Sequence, residues 1–331
     1  MRVLLLSDTH GELGIVNRLV AAEGADCVIH AGDFGFYEDE SLSRLSQREI
    51  WLIIKHSHLP QRKVRRILEL DPRARVKAVE KHGLLGGFQR YLDGKDSFDV
   101  PVYAVWGNHD DGHLVERLVR GRMAVANLHL LYPERASRVG GALVYGLGGN
   151  FIPGRKMLDQ PIAGHGGKIW STLSEFSELV RTADSEGRSS GPRIFVSHVS
   201  PRVEPFVEYI GIRTGADYTV SGHMAPPACD IWTASELGSL EEAERRAARG
   251  IQAVRKALRA AKGLYTYRDG LRLDAITVKA TGSNSGEASQ PRWYERLTHI
   301  NLPDADVGYA LMDIDSDGTR LRSRAMGSSA N

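Results

Sequence analysis

The sequence predicts an α/β fold, and three observations predict it. Apolar runs of strand length recur along the chain, helical spacing fills much of what lies between them, and several runs stop abruptly in Asp, His, Asn or Gly. Open α/β sheets carry their chemistry at the carboxyl ends of strands, so these endings mark where a site belongs.

Arg2 to Ser7 is a first buried strand followed by Asp8-Thr9-His10-Gly11. Residues i and i+2 of an extended segment share a face, so Asp8 and His10 can reach one ion while Gly11 lets the chain turn. Leu13, Val16, Leu19 and Val20 hold helical spacing as far as Gly24, a C-terminal cap. Asp26 to Ala31 is a second strand leading into Gly32-Asp33. Strand, helix and strand with short connections form a parallel βαβ unit, which brings Asp8, His10 and Asp33 to one edge.

A helical insertion at about 38–99 interrupts the alternation. It carries Leu52, Ile53, Ile54, Val64, Ile67 and Leu68 at helical spacing and a basic run of Arg62, Lys63, Arg65, Arg66, Arg73, Arg75, Lys77 and Lys81. That run reads either as a solvated face or as a surface turned to substrate. His56 and His58 lack a nearby acidic partner and read as surface residues. Pro101 to Trp106 is the next strand, and it ends in Gly107-Asn108-His109-Asp110.

Leu114 to Val119 reads as helix, and Asn127 to Tyr132 and Ala142 to Gly146 as strands. Gly146 to Asn150 is a glycine-rich loop without the order of a dinucleotide fingerprint or a P-loop. Arg155 and Lys156 beyond it are either phosphate contacts or an exposed turn. Leu173 to Ala183 is an amphipathic helix and Ser185 to Pro192 a linker. Arg193 to Ser197 and Asp217 to Ser221 are strands ending in His198 and Gly222-His223. Ser239-Leu240-Glu241-Glu242 is a capping box that opens a helix running to Gly263. Thr281 to Gln290 is expected to be mobile, Val307 to Asp313 and Thr319 to Leu321 to form a hairpin about Asp317-Gly318, and the tail after Met326 to be disordered.

The net charge of +2 over 331 residues is too mild to argue for nucleic acid or a membrane surface, so any basic footprint is local. Two cysteines, Cys27 and Cys229, suit a reducing compartment better than a disulfide framework. The opening apolar run is too short for a signal peptide or a span, and a soluble cytoplasmic protein is expected.

Carboxylates, imidazoles and an amide oxygen without thiolate suit divalent ions such as Mn²⁺, Fe²⁺ or Zn²⁺. The ordered set Asp-x-His, Gly-Asp, Gly-Asn-His-Asp, Ser-His and Gly-His resembles the calcineurin-like metallophosphoesterase superfamily. The resemblance runs from Met1 to about Gly35 and from Pro101 to about Trp232, with the final hairpin also similar. It implies a two-sheet α/β/β/α sandwich of the metallophosphoesterase type with the insertion as a helical cap. The whole of 1–331 is then one domain, and a helix-plus-loop segment at about 233–291 is atypical of the family.

For the site, the resemblance implies a first metal on Asp8 and His10, with Asp33 bridging to a second on Asn108, His198 and His223. His109 would stabilise developing charge and act as general acid, and Asp110 would orient its ring. Two divalent ions, Mn²⁺ ahead of Fe²⁺ or Zn²⁺, would turn a bridging water into the attacking hydroxide. A phosphodiester substrate is expected, with nucleic acid the candidate for the basic insertion and no membrane partner. A phosphomonoesterase, or a non-catalytic scaffold on the same fold, is the alternative. One departure stands out: the family ends its last motif Gly-His-x-His, whereas here Gly222-His223-Met224-Ala225 lacks the second His. A weakened first site is expected, with His299 or Cys229 as conceivable substitutes, and His30 reads as structural.

Overall fold

The computed structural model describes residues 1–158, 162–164, 168–187, 191–224, 226, 228–260 and 292–326. Its strands are β1 (Arg2–Leu6), β2 (Cys27–Ala31), β3 (Val102–Val105), β4 (Leu128–Leu130), β5 (Ser137–Val139), β6 (Ala142–Leu147), β7 (Ala163–Gly164), β8 (Ile169–Trp170), β9 (Arg193–Ser197), β10 (Tyr218–Ser221), β11 (Asp230–Thr233), β12 (Thr298–Asn301), β13 (Gly308–Asp315) and β14 (Gly318–Ala325). They form a six-stranded sheet in the order β14-β13-β1-β2-β3-β4, a second in the order β11-β12-β10-β9-β6-β5, and a small β7-β8 pair. Strands β1 to β4 run parallel in the first sheet, and β12, β10, β9 and β6 run parallel in the second.

The parallel strands read as unbroken apolar runs because both of their faces are covered. In β1, Val3 and Leu5 enter the core between the sheets, with Ile29, Val105, Val196, Val220 and Ile300. Leu4 and Leu6 point the other way, into a layer shared with Val16 and Leu19 of helix Gly14–Glu23. The outer face of the second sheet, with Tyr145 and Phe195, packs under helices Leu173–Ser185, Pro205–Arg213 and Leu240–Ala260. The layers are therefore α/β/β/α. Helix Leu240–Ala260 begins at the Ser239 capping box, where the Ser239 amide donates to Glu242 Oε2 at 2.8 Å. Arg246 then pairs with the buried Glu208 at 2.8 Å. The expected loop Thr281 to Gln290, the end of that helix at Gly263 and the tail beyond Met326 lie outside the described residues.

Five helices fill the insertion: Ser41–Arg44, Gln47–Lys55, Gln61–Leu68, Pro72–Lys81 and Phe88–Leu92. The middle three enclose a core of their own from Ile50, Ile53, Ile54, Val64, Ile67, Ala78 and Val79, joined by Tyr37. Two joints tie the cap to the body. Buried Glu38 pairs with Arg44 at 2.6 Å and with Arg117 at 2.7 Å, and Arg44 also reaches Asp111 at 2.7 Å. At the other joint, Gly87 donates its amide to the Gly11 carbonyl at 2.9 Å, and a Cβ placed on Gly86 would lie 2.5 Å from the Gly11 Cα.

Candidate metal centre

Every strand that ends in a predicted ligand delivers it to one rim. Asp8 follows β1, Asp33 follows β2 and Asn108 follows β3 in the first sheet, while His198 follows β9 and His223 follows β10 in the second. These strands are parallel within each sheet, so their carboxyl ends share an edge. The two edges meet over the core, and ligand atoms of Asp8, Asp33 and His198 come within 4.8 Å of one another. A hub forms at His198 Nε2, which lies 2.9 Å from Asn108 Oδ1, 3.1 Å from His223 Nδ1 and 3.6 Å from Asp33 Oδ1. Its other nitrogen is 2.9 Å from the Ala31 carbonyl. That contact makes Nδ1 the protonated one and turns the Nε2 lone pair inward.

The local backbone is built for these side chains at some cost. Asp8, His10, Asp33 and His223 all hold positive φ, at 53°, 46°, 49° and 72°. Non-glycine residues seldom adopt that region, and each instance costs about 1–3 kcal/mol. The glycines before Asp33, Asn108 and His223 are where other ligands pack. A Cβ on Gly107 would stand 1.9 Å from Asp33 Oδ1, and one on Gly222 would stand 2.4 Å from Asp8 Oδ2.

The electrostatics match a cation site. Burial pushes the Asp33 carboxyl up, but His198, His109 and His10 overcome it and hold Asp33 below the ordinary carboxylate range. Burial pushes His223 down to about 3, so the ring is neutral and free to act as a ligand. Burial and then Asp33 push Asp110 up to about 6, even though backbone amides stabilise its charge. A buried amide nitrogen, Asn108 Nδ2, finds no hydrogen-bond partner among the described residues, which is consistent with an amide oriented through its oxygen. Imidazoles, carboxylates and an amide oxygen fit borderline or hard divalent ions.

Asp110 has a different role from the one expected. Its Oδ1 accepts the amides of Gly35 and Phe36 at 2.8 Å, and its Oδ2 accepts that of Gly107 at 2.7 Å. No hydrogen bond or ion pair joins it to the ring of His109, whose buried Nδ1 has no partner among the described residues. Asp110 is a clamp between the loops after β2 and β3, its two oxygens taking three convergent amides. His109 is held instead through its backbone: its amide donates to Asp33 Oδ1 at 2.9 Å, and the Tyr37 hydroxyl donates to its carbonyl.

The two conceivable substitutes for the missing His do not join the rim. His299 lies in β12 with Nδ1 2.6 Å from Thr219 Oγ1, packed on Trp232, and Cys229 is a free thiol that burial pushes up to about 12. Neither belongs to a metal-capable group among the described residues. His30 packs edge-on against Phe34 and lies 3.1 Å from Thr9 Oγ1, and burial pushes it down to about 3. Ala225 lies outside the described residues.

Three groups at the rim were not foreseen from the sequence. His56 is exposed, as expected of a surface residue, yet its ring lies between those of His10 and His109, with centroids 5.5 and 5.0 Å away. The cap thus reaches the site, and His56, Leu52, Ile53, Leu59, Leu84, His10 and His109 line a cavity of about 170 Å³. Burial lowers the proton affinity of half-buried Lys168, which also feels the charges of Asp33 and of Arg48, Lys156 and Lys55. Asp304, in the β12–β13 loop, has a carboxylate oxygen within 4.8 Å of ligand atoms of Asp8 and His10. Burial and then Asp8 push it up to about 6. A Pro-Asp step after an apolar strand was its one sequence signal. Lys156 itself is engaged, its ammonium 3.4 Å above the Trp170 ring.

A two-sheet α/β sandwich with such a cluster at its strand ends defines a metallophosphoesterase fold. The chain belongs to the calcineurin-like phosphoesterase family, whose model matches residues 1–227. No curated protein matches the chain. Among solved structures it is similar to GAP50, the anchor in the inner membrane complex of Plasmodium, at 10% identity over 99% of this chain and 85% of that one, with a TM-score of 0.44. It is also similar to the sulfate thiohydrolase SoxB of Thermus thermophilus in complex with glycerol, at 14% identity over 98% of this chain and 56% of that one, with a TM-score of 0.37. Neither likeness is strong enough to bear on function. No described helix is long and apolar enough to cross a membrane.

Proposed function

We propose that the protein hydrolyses phosphodiesters with two divalent metal ions, Mn²⁺ the first choice. The observation that carries this reading is the meeting of Asn108, His223 and Asp33 around His198 Nε2, four donors from four strands of two sheets. Divalent ions on these donors supply an acidified water for attack and neutralise phosphoryl oxygens. Asp33 lies among ligand atoms of both Asp8 and His198, which supports its carboxylate as a ligand that two ions would share.

The remaining work falls to the chain's own residues. His109 lines the cavity above the rim, and its ring N–H can donate to an oxygen that gains charge. A phosphate anion alongside raises the proton affinity of that ring, which equips it to pass a proton to the leaving oxygen. Lys168, Arg48 and Lys55 supply positive potential toward an approaching anion. Leu52, Ile53, Leu59 and Leu84 give one organic substituent of a diester an apolar wall beside His109.

Arg62, Lys63, Arg65 and Arg66 are exposed on the cap and form no ion pair with a described residue. They support an extended anionic substrate such as nucleic acid. The test is hydrolysis of bis-p-nitrophenyl phosphate against p-nitrophenyl phosphate with Mn²⁺. The diester is expected to show the higher kcat/KM, and His109→Ala to lower kcat about 10²–10³-fold with unchanged metal content. A preference for the monoester, or a His109→Ala enzyme as fast as the parent, overturns the reading.

A further inference from the structure

We infer that Asp304 is the ligand that completes the first metal site, in the role the family gives to a second His after Gly222-His223. The inference rests on the metal-centre reading and concerns a residue beyond the part of the chain that the family model matches. Three observations converge on it.

The first is placement. β12 runs parallel beside β10 with Ser221 opposite Asn301, so the chain leaving β12 emerges at the same rim as the chain leaving β10. The Leu302 amide donates to the Ser221 carbonyl at 2.7 Å, which extends that register past the strand end. From there the loop crosses to β13, which pairs with β1 in the other sheet. Asp304 thus lies where the sheets meet, and Asp8 follows β1 at that seam.

The second is the state of the carboxylate. Among the described residues it has neither a hydrogen bond nor an ion pair, although it is half-buried and its neighbours include another carboxylate, Asp8. The carboxylates of Asp8 and Asp304 repel each other at this range, and a cation held between them and the His10 ring would relieve that repulsion. The third is fixation. The Asp304 carbonyl accepts the amides of Val307 at 2.8 Å and Gly308 at 3.2 Å, so the backbone that carries the side chain is pinned. A pinned, unpaired carboxylate facing Asp8 and His10 is what a metal ligand needs and what a surface aspartate does not.

The exchange of a neutral imidazole for a carboxylate adds one negative charge to the first site. It therefore leans toward harder ions, Mn²⁺ or Mg²⁺ over Zn²⁺. The weakened first site expected from Ala225 alone gives way to one that holds its ion through a different residue.

The experiment is Mn²⁺ titration of the metal-free protein by calorimetry, with bound metal counted by mass spectrometry, for the parent, Asp304→Ala, Asp304→Asn and His198→Ala. The parent is expected to bind two ions. Both Asp304 variants should lose at least tenfold in affinity at one step and leave the other intact, and His198→Ala should weaken the other step. The near-isosteric Asp304→Asn should also raise the Tm of the metal-free protein, because it removes the repulsion with Asp8, while Mn²⁺ raises its Tm less than that of the parent. Two unchanged binding steps in both Asp304 variants overturn this inference and leave the metal-centre reading standing. A parent that binds no ion overturns both.

Discussion

Gly107 shows most directly how a single residue governs the centre. A methyl group there would stand 1.9 Å from Asp33 Oδ1 and 2.1 Å from the Asp33 amide nitrogen, neither of which can retreat without moving the end of β2. Gly107→Ala is therefore expected to cost more than about 2 kcal/mol of stability in the metal-free protein and to weaken metal binding as well. Urea unfolding without metal checks the first effect. A change within about 0.5 kcal/mol would show that the loop has slack. At this scale the sequence was informative where a ligand ends a strand, because a buried apolar run seldom stops in Asp or His merely to turn. It was uninformative for Asp110, whose role depends on three amides brought together by folding. It also missed His56, since nothing local reveals that the end of a cap helix lies over His10 and His109.

Among the elements, helix Leu173–Ser185 carries a testable electrostatic burden. Glu175, in its first turn, accepts the Thr172 amide at 2.8 Å in a capping box, yet it is only 2% exposed, and burial pushes its carboxyl up to about 7. The folded state thus holds a proton that the unfolded chain, with an ordinary carboxyl near 4.5, has already released. Between those two values stability should fall as pH rises, by up to about 1.4 kcal/mol per pH unit, and below the lower value this group should contribute no slope. Glu175→Gln should flatten that window in denaturant unfolding measured from pH 4 to pH 8. An unchanged slope would place the proton elsewhere. The helix itself was legible from its spacing and its Thr-x-x-Glu opening, and so were the parallel strands. The division into two sheets was not, since a strand buried on both faces looks alike in one sheet or in two. Only the family resemblance supplied that division.

For the molecule as a whole, the centre spans the seam between the sheets, with Asp8, Asp33 and Asn108 from one and His198 and His223 from the other. Bound ions would hold the two together, and ligands that bind only the folded state stabilise it by about 2.7 kcal/mol at a hundredfold excess over Kd. Removal of metal with a chelator is expected to lower Tm by several degrees, and Mn²⁺ to restore it, by differential scanning calorimetry. Equal melting with and without metal would mean that the seam is held by its apolar core alone. The cap, by contrast, owes its attachment to no metal. Gly86 lies against Gly11 with no room for even a methyl group between them, and Gly11 lies as tightly against Gly35. The roof thus meets the floor main chain against main chain at that joint. Bulk added at Gly11 or Gly86 would push the roof outward, and the girth of ester admitted beneath it would widen with it.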